Sequence, residues 1–274
     1  MQTAFIHYQS SQVHYSYAGH GETALVCLHG YGESADSFHF LEQYLPAHYR
    51  LIAIDLPFHG QTQWKEGLNC TPQDLQAIIE SICGQLHLPF AHITFAGFSM
   101  GGRVALSLLE TMPAQTDRLL LLAPDGLVVN FWYRLAAQTL IGNRLFRFTM
   151  RHPRWFFWLL KAGKRLGLIN QSIYKFTSYY INDPAVREQL YQRWTCMRHF
   201  KPHLPVIKQL VRQQGIQVAL LYGKYDRIIL AKRGENFRRG IESFCTLQVI
   251  STGHQVLQEK NAAMIIQLLQ TQTH

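Results

Sequence analysis

Six short apolar runs, each closed by a small or polar residue, constrain the chain more than any other feature. They are TALVCLHG (23–30), RLIAIDLP (50–57), AHITFAG (91–97), RLLLLAP (118–124), QVALLYG (217–223) and TLQVIS (246–251). They are too short for core helices, and too continuously apolar for strands with one wet face. Runs of this form are strands buried on both faces of a parallel sheet. Helix-periodic stretches alternate with them. SADSFHFLEQYL (34–45) reads as one amphipathic helix. TPQDLQAIIESICGQL places Thr71 as N-cap, Pro72 at the first helical position, and Ile78, Ile79, Ile82 and Leu86 at helical spacing. SMGGRVALSLLETM, from Ser99, is helical as well. Ahead of these, TAFIHYQS and QVHYSYAG alternate with period 2 and read as a hairpin joined at Ser10-Ser11. The fold class is α/β, a mostly parallel twisted sheet with helices on both faces. In such sheets functional groups collect at the carboxyl ends of the strands.

The alternation breaks once. Residues 126–201 read as helices, FWYRLAAQTLIGNRLFRF, HPRWFFWLLKAGKRL and DPAVREQLYQRWTCMRHF, with Pro153 and Pro184 where helix starts tolerate proline. The expected organisation is a core of 1–125 and 202–274 carrying an all-helical cap of 126–201 over the sheet edge. This segment holds 13 Lys/Arg against Asp183 and Glu188, a charge of +11, while the rest of the chain carries −2. It also holds 16 of the 34 aromatic residues. Trp132, Tyr133, Trp155, Phe156, Phe157, Trp158, Tyr179, Tyr180 and Trp194 are too many for a solvated helical segment. Most are expected to cement the cap to the core, with a few, such as Trp155 and Trp158, lining an apolar substrate pocket with Phe98. Arg144, Arg147 and Arg151 recur at i, i+3 and i+7 on one helical face. That face could meet solvent, an anionic substrate or, weakly, an anionic membrane. No recognition motif accompanies the charge, so nucleic acid is not expected.

A hydrophobic content of 47% with 16% charged residues excludes a disordered chain. The densest apolar run, WFFWLL (155–160), has six residues, against the roughly 18 needed to span a bilayer. The N-terminus shows no basic region followed by an apolar one, which makes the cytoplasm the expected location. Cys27, Cys70, Cys83, Cys196 and Cys245 are odd in number and widely spaced, as in reduced cytosolic thiols. The histidines make neither H-x-H nor H-E-x-x-H, so neither a metal nor another cofactor is expected.

Chemistry-bearing residues follow the runs. Gly97-Phe98-Ser99-Met100-Gly101 comes after AHITF, Lys224-Tyr225-Asp226 after VALLYG, Thr252-Gly253-His254 after LQVIS, and His29-Gly30-Tyr31-Gly32 after ALVCL. A hydroxyl, a carboxylate and an imidazole thus stand at strand ends in the order Ser…Asp…His, beside a glycine-rich turn.

With these residues the chain resembles the α/β-hydrolase superfamily over nearly its whole length outside the cap. G-F-S-M-G matches the G-x-S-x-G nucleophile elbow, which needs a strand, a sharp turn and a helix. The resemblance implies Ser99 as nucleophile, His254 as base and Asp226 as the acid that orients it. It implies an oxyanion hole from the backbone N–H groups of Tyr31 and Met100. Asp125 is the rival acid, since some members draw it from the earlier strand; the G-x-x-D turn of Gly223–Asp226 is nearer the usual pattern. His29 and His59 occupy positions that resemble structural histidines of the family. One departure stands at Asp55-Leu56-Pro57-Phe58-His59-Gly60, where Phe58 replaces a turn glycine.

Serine as nucleophile argues against the dehalogenase and epoxide hydrolase branches, which use aspartate. The implied activity is hydrolysis of an ester or thioester of a small to medium apolar acyl or aryl compound through an acyl-enzyme. A carbon–carbon bond hydrolase or cofactor-free lyase could use the same three residues. A ligand-binding or membrane-associated module with a basic aromatic cap is the alternative of another class.

Overall fold

A computed structural model describes residues 1–128, 131–165 and 181–271. Tyr179 and Tyr180 lie outside the described residues. The sheet has eight strands: β1 (Gln2–Tyr8), β2 (Ser11–Ala18), β3 (Thr23–Leu28), β4 (Tyr49–Ile54), β5 (Ile93–Phe98), β6 (Thr116–Leu122), β7 (Gln217–Gly223) and β8 (Cys245–Ile250). Their order across the sheet is β1-β2-β4-β3-β5-β6-β7-β8. β1 and β2 pair antiparallel, as do β2 and β4, and every other pairing is parallel. Five of the six apolar runs form β3 to β7 inside the sheet, with β3, β5 and β7 buried almost throughout. The sixth, 246–251, falls on the edge strand β8 and is only partly buried, not enclosed on both faces as expected. The edge strands β1 and β8 keep exposed positions, because each lacks a neighbour on one side. The hairpin turn falls at Gln9-Ser10 rather than Ser10-Ser11, with Gln9 in the left-handed region at φ 51°.

Helix α1 (Pro72–Gln85) starts on a capping box: the Asp74 N–H donates to Thr71 Oγ1, and the Thr71 N–H to Asp74 Oδ2. Helix α2 (Met100–Thr111) is buried along nearly its whole length. Residues Ala35–Tyr44 form a 3₁₀ helix, not the α-helix expected. Its buried residues Ala35, Phe38 and Leu41 recur every third position, which matches three residues per turn and suits this geometry better than 3.6.

Two compact units divide the chain. One comprises Met1–Glu66, Cys70–Val128 and Phe200–His274, the other Gly67–Asn69 and Val129–His199. Gly67–Asn69 belongs with the second unit because Leu68 packs on its cluster of Met150, Ile181 and Tyr191. That unit contains α3 (Phe131–Gln138), α4 (Leu140–Arg151), α5 (Arg154–Arg165) and α6 (Pro184–Cys196). The stretch read as one helix from Phe131 breaks at Thr139, whose Oγ1 accepts the Gly142 N–H and starts α4. Gly142 is required there, since a Cβ would lie 1.8 Å from the Leu135 carbonyl oxygen. The unit's aromatics pack on one another. The Tyr133 ring meets Trp194 edge-on at 5.3 Å, and Phe146 meets Tyr191 at 5.5 Å. The first unit is completed by α7 (Leu204–Gln214), α8 (Ala231–Arg238) and α9 (Ala262–Gln270). α7 ends on Gly215 in the left-handed conformation at φ 69°, where glycine carries no steric penalty.

Candidate active site

Ser99 sits between β5 and α2 at φ 48° and ψ −111°, a conformation that non-glycine residues rarely adopt. The elbow closes only with glycine around it. A Cβ on Gly101 would stand 1.8 Å from the Leu28 carbonyl oxygen, and one on Gly97 would stand 2.5 Å from the Gly101 oxygen. Backbone holds the serine in turn: its N–H donates to the Leu122 oxygen at 2.9 Å, and its carbonyl accepts from the Gly102 and Asp125 N–H groups.

Three side chains from three strand ends meet here. His254 Nε2 lies 3.0 Å from Ser99 Oγ, and His254 Nδ1 lies 2.7 Å from Asp226 Oδ2. The other carboxylate oxygen of Asp226 accepts the N–H groups of Ile228 (2.7 Å) and Ile229 (2.9 Å). A buried carboxylate accepting three hydrogen bonds is fixed in place, and it keeps a proton on Nδ1. The Nε2 lone pair is thereby turned toward the hydroxyl. Asp125 is engaged elsewhere: Oδ2 pairs with Arg103 Nη1 at 3.2 Å and Oδ1 accepts the Gly126 N–H. The Phe98 ring lies 5.4 Å from that of His254, so this residue of the expected pocket is beside the three. Trp155 and Trp158 belong to the helical unit, where Trp155 packs against Phe156 and Trp158 is 69% exposed.

Met100 is the first residue of α2, so its N–H has no intrahelical partner. Tyr31 follows β3 in a turn that Glu33 braces. Glu33 Oε2 accepts from the Gly30 N–H at 3.3 Å and the Ser37 hydroxyl at 3.2 Å, while Oε1 accepts from Gln255 Nε2 at 3.0 Å. Glu33 therefore ties the Tyr31 turn to the segment carrying His254. Sequence reasoning passed over it, because a lone glutamate in a loop gives no signal until its partner 222 residues away is known.

His29 Nε2 accepts the Leu56 N–H at 3.1 Å, which leaves Nδ1 as the donor to the Gly30 oxygen at 2.8 Å. His59 Nδ1 lies 2.9 Å from the Pro57 oxygen. Both rings thus brace the loops after β3 and β4. Asp55 organises the second loop, accepting from the Ala35 and Gln61 N–H groups and pairing with His14 Nδ1 at 2.7 Å. Gly60, at φ 51°, is excluded from carrying a Cβ by that carboxylate 1.9 Å away. Phe58, the departure from the turn's glycine, adopts φ 63°, so the loop keeps the left-handed shape without the residue that favours it.

Among the described residues no group of three or more His, Cys, Asp or Glu is arranged to hold a metal.

A strained serine after a parallel strand, with a histidine and an aspartate in reach at two later strand ends, defines the α/β-hydrolase arrangement. Residues 23–149 match the alpha/beta hydrolase fold family, and the chain is an enzyme with the α/β-hydrolase fold. It is 27% identical over 252 residues to the uncharacterized hydrolase YugF of Bacillus subtilis (strain 168), spanning 89% of this chain and 88% of the relative. It is 34% identical over 121 residues to the pimeloyl-[acyl-carrier protein] methyl ester esterase of Aeromonas salmonicida (strain A449), covering 43% of this chain and 45% of that protein. Among solved structures, a thermophilic esterase from Thermogutta terrifontis superposes with a TM-score of 0.67 at 18% identity, over 98% of this chain and 97% of that one. At that identity the likeness is one of fold.

Proposed function

We propose that the chain is a serine hydrolase cleaving a carboxylic ester or thioester of a small to medium apolar acyl or aryl compound. The observation that carries this reading is the unbroken contact from Asp226 Oδ2 through the His254 ring to Ser99 Oγ. Serine is a weak nucleophile until a base takes its proton. In the proposed reaction Ser99 Oγ attacks the substrate carbonyl carbon as His254 Nε2 receives the hydroxyl proton. Asp226 stabilises the imidazolium that results. The carbonyl electron pair moves to oxygen, and the N–H groups of Met100 and Tyr31 hold that oxyanion. Collapse expels the alcohol or thiol, which takes the proton from His254 and leaves Ser99 acylated. Water, deprotonated by His254, then attacks the acyl group and releases acid and serine. Within this reading Phe98 bounds the acyl group beside His254. The Aeromonas relative, by its name a methyl ester esterase, supports the ester class.

The test is turnover of p-nitrophenyl acetate and butyrate together with labelling by a fluorophosphonate. Wild type should hydrolyse the esters and carry the label on Ser99. Ser99→Ala should stay folded, lose the label and lose kcat by about 10⁴-fold or more. Folded wild-type protein that neither labels nor turns over either ester would sink the assignment.

A further inference from the structure

Helix α4 has two faces of different chemistry. Thr149 and Met150 are buried, and Phe146 packs against the unit's own cluster of Met150, Ile181 and Tyr191. This side is already filled. The opposite side carries Leu140 and Ile141, each 82% exposed, with Leu145 and Phe148 about half exposed. On a helix of 3.6 residues per turn Ile141, Leu145 and Phe148 fall on one stripe and Arg144, Arg147 and Arg151 on the stripe beside it, with Leu140 at the helix start among the arginines. All three arginines are exposed, and none is in an ion pair among the described residues. The sequence offers them no nearby partner either, since no Asp or Glu occurs from Gly126 to Asn182. Helix α5 continues the theme with exposed Trp158 and Leu159 and the exposed cations Lys161, Lys164 and Arg165.

We propose that α4 docks the protein on an anionic lipid surface, lying in the plane of the interface with its guanidinium groups among the headgroups. Leu140, Ile141, Leu145 and Phe148 would enter the acyl boundary beside them. Twelve residues cannot cross a bilayer, and no described helix is long and apolar enough to do so, but an interfacial helix needs only an apolar face flanked by cations. Charge complementarity selects this occupant. A nucleic acid would reward the arginines and leave the two most exposed aliphatic side chains in water. An anionic leaflet rewards both stripes at once. This docking is independent of the hydrolytic reaction proposed above.

Co-sedimentation with vesicles of phosphatidylcholine alone, and of phosphatidylcholine mixed two to one with phosphatidylglycerol, tests it on the full chain. Wild type should bind the anionic vesicles at low ionic strength, bind the neutral ones much more weakly, and be released by high salt. Each basic residue beside an anionic leaflet is worth roughly a five-fold change in partitioning. The R144E/R147E/R151E variant should therefore bind at least about 100-fold more weakly, with an unchanged circular dichroism spectrum and melting temperature. Ile141→Ser with Phe148→Ser should weaken binding while the arginines remain. Absence of wild-type binding to anionic vesicles, equal binding to neutral ones, or full retention by the charge-reversed variant would overturn the proposal. So would binding to DNA or to a protein partner that displaces the vesicles without competing for the arginines.

Discussion

At the scale of single residues, the choice of acid turns on hydrogen-bond supply. Asp226 has a buried carboxylate with one oxygen on two backbone N–H groups and the other on His254. Asp125 has the same chemistry in the adjacent strand connection, but its charge is held by Arg103. Replacing the two carboxylates by their amides separates the roles. Asp226→Asn would present an N–H or a neutral oxygen to His254 Nδ1 and favour the wrong tautomer, lowering kcat by up to about 10⁴-fold with ester substrates. Asp125→Asn should keep kcat within a few-fold of wild type, its loss appearing in the melting temperature through Arg103. Equal losses of kcat in the two variants would argue against Asp226 as the residue that orients the base.

At the scale of elements, short local contacts decide where strands and helices begin. The β1–β2 turn is held by Glu66, which accepts from the Ser10 N–H and hydroxyl and from the Ser11 hydroxyl at 2.7–2.9 Å. These bonds, the Ser10 hydroxyl foremost, hold the Glu66 carboxyl below the usual glutamate range. With the folded pKa below the unfolded one, the contribution is present above the unfolded pKa and fades as pH falls through the folded value. Thermal melts of wild type and Glu66→Gln should therefore differ most above the unfolded glutamate pKa and converge as the pH falls well below it. A gap that widens on acidification would contradict the role given to the carboxylate. The break between α3 and α4 follows the same logic: Thr139 as cap and Gly142 as the close approach override a helical pattern that continues across them.

At the scale of the whole molecule, burial governs the cysteines, in strand, helix and loop alike. All five are buried thiols. Burial pushes Cys83 up to about 11 and Cys245 up to about 12, and raises Cys27 further still. The thiolate is the reactive form, so burial and a raised pKa both suppress it. The folded protein should react with less than one equivalent of Ellman's reagent near pH 8, and with all five thiols in denaturant. Rapid reaction of several thiols without unfolding would mean that the fold opens locally far more readily than its packing implies.

The sheet and the elbow were legible in the chain because their causes are local. A continuous apolar run of this short length, closed by turn residues, satisfies its backbone and its side chains together as a strand buried on both faces. Gly97, Ser99 and Gly101 after such a run mark a turn that larger residues could not make. The N-cap of α1 was equally plain at Thr71 and Pro72, while the reciprocal bond to Asp74 was seen only in the structure. Other features depend on groups far apart in sequence. The 3₁₀ geometry of 35–44 and the inclusion of Gly67–Asn69 in the helical unit follow from what those residues pack against. The bracing role of Glu33 rests on Gln255. The G-x-x-D turn favoured Asp226, but with equal chemistry at two strand ends the contact itself was decided by tertiary structure, which sets Asp226 against His254 and ties Asp125 to Arg103.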